Sequence, residues 1–160
     1  MDLESGMPYS LVKNGLMYNY PKLENSLTAD VVILGAGISG ALSAYYLSKA
    51  GFDCVVVDAR SIGLGSTCAS TSLLQYEIDV PLCILQKKIG YKKAVRAYEL
   101  CAQSILKLQD IADDIGFKDF QLKNSLYYAA SSKHVQFLKE EFSIRKENNF
   151  EVSFFRKRKY

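Results

Sequence analysis

The chain is poor in the groups that build metal sites and disulfide frameworks. It has one histidine, His134, and its four cysteines, Cys54, Cys68, Cys83 and Cys101, form no CxxC pair and no zinc-ligand spacing. A zinc ribbon and a CxxC dithiol are therefore excluded, and reduced thiols in a cytoplasmic protein are expected. An excess of one charge is missing too: the net charge is +3, and only "RKRK" at 156–159 is locally basic. A nucleic-acid partner has no electrostatic footprint, so the basic run at 156–160 is expected to be a solvated tail. The first residues, "MDLESGMPYSLVKNGLMYNYPKLENSL", lack a continuous apolar stretch and a small-residue cleavage site, and no secretory signal is predicted. The uncharged stretch 31–48, "VVILGAGISGALSAYYLS", approaches membrane length, but its three glycines and three serines break it into a short apolar run and a helix-like segment. No membrane partner is expected.

What is present is a composition that folds. With 160 residues, of which 49% are hydrophobic and 23% charged, the chain can bury the core of one ordinary globular domain. Residues 1–28 have no sustained period, and Pro8 and Pro21 discourage long elements, so an N-terminal arm on the domain surface is predicted. "DVVIL" at 30–34 has the β-branched character of a strand buried on both faces. Ile38, Ala41, Leu42, Tyr45, Tyr46 and Ala50 then recur at helical spacing, with Gly51 placed as a C-terminal cap. "FDCVVVD" at 52–58 returns to strand composition, which completes the βαβ unit of a parallel sheet.

After Asp58 the composition changes to Gly, Ser and Thr in "ARSIGLGSTCASTS", a loop rich in small hydrogen-bonding groups. Residues 81–123 then read as helical: "PLCILQKKIG" makes a short helix, and Val95, Tyr98, Ala102, Ile105, Leu108, Ala112 and Ile115 form one apolar stripe on a longer helix stopped by Gly116. Within 124–155, "SLYYAAS" at 125–131 is predicted as a strand. A helix at about 132–148 follows, with Val135, Leu138 and Phe142 inward and Glu141 and Arg145 as an i, i+4 pair, and "FEVSFF" begins another strand.

Gly35, Gly37 and Gly40 form GxGxxG where the first strand meets the helix. In such a turn the first glycine permits the bend, the second lets backbone approach a pyrophosphate, and the third lets helix pack closely on strand. The N–H groups of the first helical turn and the helix dipole favour an anion there. Glycines at such a turn can also serve packing alone, but Asp58 ends the second strand where a carboxylate accepts hydrogen bonds from a ribose. Arg60 could contact a 2'-phosphate, yet the nearby Asp58 would repel it, so Arg60 is read as a surface residue near the adenosine. The hydroxyl-rich loop separates NAD from FAD: "GLGSTCASTSLLQYE" supplies hydroxyls and backbone donors where a longer cofactor continues past its pyrophosphate.

On these residues, 30–80 resemble the FAD-dependent oxidoreductase family of D-amino acid oxidase, glycine oxidase and sarcosine oxidase. The span from 1 to about 152 looks like the N-terminal part of its bacterial members. The resemblance implies an α/β fold in which a Rossmann-like FAD/NAD(P)-binding βαβ unit with its loop (29–80) is followed by a helical segment (81–123) and the start of a substrate-domain sheet (124–155). It implies oxidation of the carbon–nitrogen bond of an amine or amino acid by hydride transfer to flavin. Carried over to this chain, Gly35, Ala36, Gly37, Ile38, Ser39 and Gly40 would hold the pyrophosphate, and Asp58, Ala59 and Arg60 would lie at the adenine ribose. Gly65, Ser66 and Thr67 would sit beside the diphosphate, with Ser70, Thr71, Ser72 and Leu73 passing toward the isoalloxazine. Several relatives carry glycine where this chain has Ser72. Some attach flavin through a histidine at the position of Ala69, so non-covalent FAD is expected, with Cys68 a small loop residue and His134 a surface residue.

Members of that family run to well over twice this length and complete the flavin site with a later glycine-rich segment. The resemblance fades near Phe155, where "RKRKY" replaces the family's continuation. An N-terminal portion is therefore expected, with no catalytic residue assigned. The other readings are an NAD-binding dehydrogenase domain and a non-catalytic piece that needs a partner chain to supply the missing half.

Overall fold

A computed structural model describes residues 6–15 and 18–156. The chain divides into two compact units, Met1–Leu73 and Leu74–Tyr160.

In the first unit the β-branched runs form two strands, β1 (Val31–Leu34) and β2 (Cys54–Val57), joined through helix α2 (Ile38–Lys49) and paired in parallel from Val31↔Cys54 to Leu34↔Val57. Further bonds extend the ladder at both ends: the Val31 N–H donates to Asp53 O at 3.1 Å and the Gly35 N–H to Val57 O at 2.8 Å. A parallel pair needs a crossover longer than a hairpin turn, and α2 supplies it. The helix stops at Gly51, whose φ of +90° suits glycine. There the Gly51 N–H donates to Ser48 O at 3.0 Å and the Phe52 N–H to Leu47 O at 3.1 Å, a Schellman closure.

One expectation for this unit needs correction. β1 is not buried on both faces: Val32 and Leu34 are 57% and 82% exposed, because a two-stranded sheet offers one covered side and one open side. The arm carries a short helix. Helix α1 (Tyr9–Asn14) starts at Pro8, whose carbonyl accepts from the N–H groups of Leu11 and Val12 at 3.1 and 3.2 Å. Proline at a helix start loses nothing by lacking an N–H, so Pro8 suits the start of this six-residue helix, and no long element forms among the described residues of the arm.

The second unit is helical: α3 (Leu82–Ile89), α4 (Tyr91–Asp114), a 3-10 turn (Ser132–His134) and α5 (Val135–Glu147). Leu82, Cys83 and Leu85 of α3, Ala94, Val95 and Tyr98 of α4 and Ile144 of α5 form its core. The predicted stripe of α4 is deeply buried at Val95, Tyr98 and Ala112 and half-buried at Ala102, Ile105 and Leu108, while Ile115 is exposed. Gly116 ends the helix as expected, with Phe117 N–H donating to Ala112 O at 2.7 Å. Asn149, at φ +62°, closes α5 in the same way.

The inner face of α5 differs from its sequence reading. Glu141, Ile144 and Arg145 are buried, whereas Val135 is exposed and Leu138 and Phe142 are half-buried. The Glu141–Arg145 pair does form, but inside the unit. The segments expected as strands, 125–131 and 150–155, have no regular structure. A strand exists by pairing, and among the described residues the sheet consists of β1 and β2 alone.

Candidate dinucleotide-binding site

The turn between β1 and α2 has the shape its glycines imply. Gly35 stands at φ +103°, where a side chain would be strained. At Gly40 an added Cβ would lie 1.9 Å from Gly35 O and 3.3 Å from the Ile33 side chain, so only glycine lets α2 lie this close to β1. Gly37 is the N-cap of α2 and supplies no capping side chain, and no acidic residue occupies the first turn. The first N–H groups of a helix have no partner within it, and this end carries partial positive charge with no nearby carboxylate on the helix to offset it.

Two side chains from beyond β2 close on this turn. One oxygen of Asp58 accepts from the Ala36 N–H at 2.7 Å, and the other accepts from the Arg60 N–H at 2.8 Å. The Ala36 bond, then the Arg60 bond, hold its carboxyl below the usual carboxylate range. Thr67 Oγ1 accepts from the Ile38 N–H at 3.1 Å, and a Cβ on Gly37 would meet that same oxygen at 3.0 Å. A hydroxyl oxygen thus occupies the hydrogen-bonding direction in which helix N-termini hold phosphate oxygens.

The structure brings Ala36, Asp58 and Arg60 into one hydrogen-bonded set and Ile38 and Thr67 into another, both at the glycine turn. Gly65 lies under Arg60, since its Cβ would be 3.0 Å from the guanidinium Nη2. Ser39 accepts at its carbonyl from the Ser43 hydroxyl at 2.9 Å within α2. Ala59, Ser66, Ser70, Thr71, Ser72 and Leu73 are exposed, and the Ser72 N–H donates to Ser70 Oγ at 3.2 Å, so this end of the loop turns on itself. His134 is exposed in the second unit beside Tyr127, Tyr128, Phe137 and Leu138. Among the described residues no cluster of three or more His, Cys, Asp or Glu side chains is placed to hold a metal ion, and no helix is long and apolar enough to cross a membrane.

Residues 30–159 match the family model of the FAD dependent oxidoreductases. The chain belongs to that family. Its mixed helix and small parallel sheet agree with the family's α/β FAD-binding domain. Among curated proteins, the chain is 28% identical over 119 residues to "Putative Rieske 2Fe-2S iron-sulfur protein YhfW" of Bacillus subtilis strain 168, a match covering 74% of this chain and 23% of that protein. It is 33% identical over 75 residues to gamma-glutamylputrescine oxidoreductase of Escherichia coli K12, covering 47% of this chain and 18% of that protein. The matched region thus spans about a fifth of the length of each of these relatives. No solved structure matches the chain.

Sequence reasoning did not find a second polar site, in the helical unit. Glu141 accepts from the Leu82 and Cys83 N–H groups at the start of α3, at 2.9 and 2.8 Å, and from Arg145 Nε at 2.7 Å. Arg145 Nη1 donates to Glu77 at 2.8 Å and to the Tyr76 hydroxyl at 3.2 Å, and its guanidinium lies 5.5 Å from the ring centres of both Tyr76 and Tyr98. Burial raises the Glu141 carboxyl, but the two N–H groups and Arg145 outweigh it and leave it lowered. Burial, then Glu141, pushes the Cys83 thiol up to about 12. A thiol so protonated is no nucleophile, and the network serves to cap α3. Its only sequence signal is the i, i+4 spacing of Glu141 and Arg145.

Proposed function

We propose that the first unit is a Rossmann-type cradle for FAD, held non-covalently, and that the chain represents the N-terminal portion of a flavoenzyme oxidising the carbon–nitrogen bond of an amine or amino acid. The observation that carries this reading is the glycine geometry. Gly37 leaves room for backbone N–H groups to meet a pyrophosphate, and Gly40 brings α2 against β1 with its N-terminus uncapped by its own residues. The residues fit the cofactor's phosphates: no first-turn carboxylate opposes the charge. Gly35 to Gly40 and Thr67 would hold the diphosphate. Asp58, each of whose oxygens keeps a lone pair beyond its backbone bond, would accept from the adenine ribose. Ser70 to Leu73 would lead toward the flavin ring.

Bound FAD would supply the two-electron oxidant, and the chain's own residues bind and orient it. Ala69 offers no nucleophile for covalent attachment. The amine substrate class follows from the family and from the name of the Escherichia coli relative, gamma-glutamylputrescine oxidoreductase. A complementing C-terminal segment would supply the substrate-binding groups.

Equilibrium titration with FAD and with NADH tests the reading. FAD is expected to bind the more tightly and to be fully released by acid denaturation. Gly37→Val, which puts a branched Cβ into the space next to Thr67 Oγ1, is expected to weaken FAD binding at least about tenfold with unchanged circular dichroism. Tighter binding of NADH, or equal FAD affinity in the variant, would overturn it.

A further inference from the structure

Residues 1–29 precede the family match, and none of the cradle chemistry uses them. Part of this arm is nevertheless built onto the hydroxyl-rich loop. Helix α1 turns Ser10 and Leu11 inward, half-buried, while Met7, Tyr9 and Val12 face solvent. The Ser10 hydroxyl donates to the carbonyl of Cys68 at 2.9 Å. Cys68 directly follows Thr67 and is the most buried residue of the loop, at 7% exposure. Its N–H donates to Gly63 O at 3.1 Å and its thiol to Gly65 O at 3.1 Å, while the Gly63 N–H donates to Ala36 O at 3.1 Å. A continuous set of bonds therefore runs from α1 through Cys68 and Gly63 to the glycine turn, beside the Thr67 bond to Ile38.

We infer that α1 is a strap on the cofactor loop and that Ser10 is a positioning residue: by fixing Cys68 it holds Thr67 where its hydroxyl reaches the N-terminus of α2. The physical need is entropic. A loop containing Gly63 and Gly65 has many conformations open to it, and each pin that ties it to regular structure restricts them. The Cys68 carbonyl is part-buried, so removing its donor leaves an acceptor poorly satisfied. The strap itself is independent of the ligand, and its bearing on binding rests on the FAD reading above.

The test follows thiol labelling of the full-length chain by peptide mass spectrometry, comparing Cys68 with Cys54 in β2. Ser10→Ala is expected to label Cys68 about three to ten times faster, the range given by one lost hydrogen bond, with Cys54 unchanged. Ser10→Thr, which keeps a hydroxyl, is expected to label like the wild type. An unchanged Cys68 rate in Ser10→Ala, or equal acceleration of Cys54 and Cys68, would overturn the strap. FAD affinity is measured on the same proteins, and a several-fold loss in Ser10→Ala alone is expected. Absence of FAD binding to the wild type would end the FAD reading, while the Cys68 comparison would still decide the strap.

Discussion

Asp58 and Thr67 each meet the glycine turn with an oxygen, but of different chemistry. The Asp58 carboxylate ties the end of β2 to the Ala36 N–H, so it shapes the turn besides being the group proposed to accept from a ribose. Thr67 accepts the Ile38 N–H through a neutral hydroxyl, which can rotate and become a donor when an anion takes that N–H. Gly40 has no such latitude: the atom that a new Cβ would meet is backbone, Gly35 O, which no rotamer change can move. Gly40→Ala is therefore expected to cost about 1–3 kcal/mol or more, by the range for overpacking, and urea unfolding measures it. A change below about 0.5 kcal/mol would show that α2 shifts away from β1 freely.

At the scale of elements, what the sequence makes plain is what local chemistry determines. β1, α2, β2, α3 and α4 form at the runs that predict them, because β-branched composition, helical periodicity and glycine caps act within a few residues. The strands expected at 125–131 and 150–155 depend on partners that no local pattern reveals, and they are irregular. The inward face of α5 departs from its sequence pattern for a related reason: hydrophobicity points to Val135, Leu138 and Phe142, while a charged pair looks like a solvated surface. Burial of Glu141 and Arg145, at 2% and 6% exposure, is possible because Leu82, Cys83, Glu77 and Tyr76 satisfy them. Removing one member leaves the rest buried without compensation, so Arg145→Met is expected to cost about 3–5 kcal/mol.

The pH dependence of the helical unit has a definite sign. The folded-state carboxyl of Glu141 lies below its ordinary 4.5, so its contribution is present above that value. It is lost as pH falls from there through the lowered folded value. Thermal unfolding followed by helical ellipticity is expected to show stability declining below about pH 4.5, with a shallower decline in Glu141→Gln. An equal slope in the variant would remove Glu141 from the account.

At the scale of the whole molecule, the candidate site was legible where it lies on one βαβ unit and its loop. The glycines and Asp58 could be named from their positions on that unit, and Thr67 from the family resemblance. The arm's role could not, because the Ser10 contact spans 58 residues of sequence and leaves no pattern. The exposed run Ser70 to Leu73 marks the other limit, since what such a loop contacts depends on more than its own sequence. The described contacts address the phosphates and ribose that ADP, FAD and NADH share, so all three are expected to engage them, and the preference for FAD over NADH is expected to come from the loop Ser70 to Leu73.

That expectation and the cradle itself are tested together by following backbone amide resonances while FAD, ADP or NADH is added to the full-length chain. All three ligands are expected to shift the amides of Gly37, Ile38, Ser39 and Thr67, FAD at the lowest concentration, and FAD alone is expected to shift those of Ser72 and Leu73 as well. Largest shifts elsewhere, or a stronger response to NADH, would contradict it.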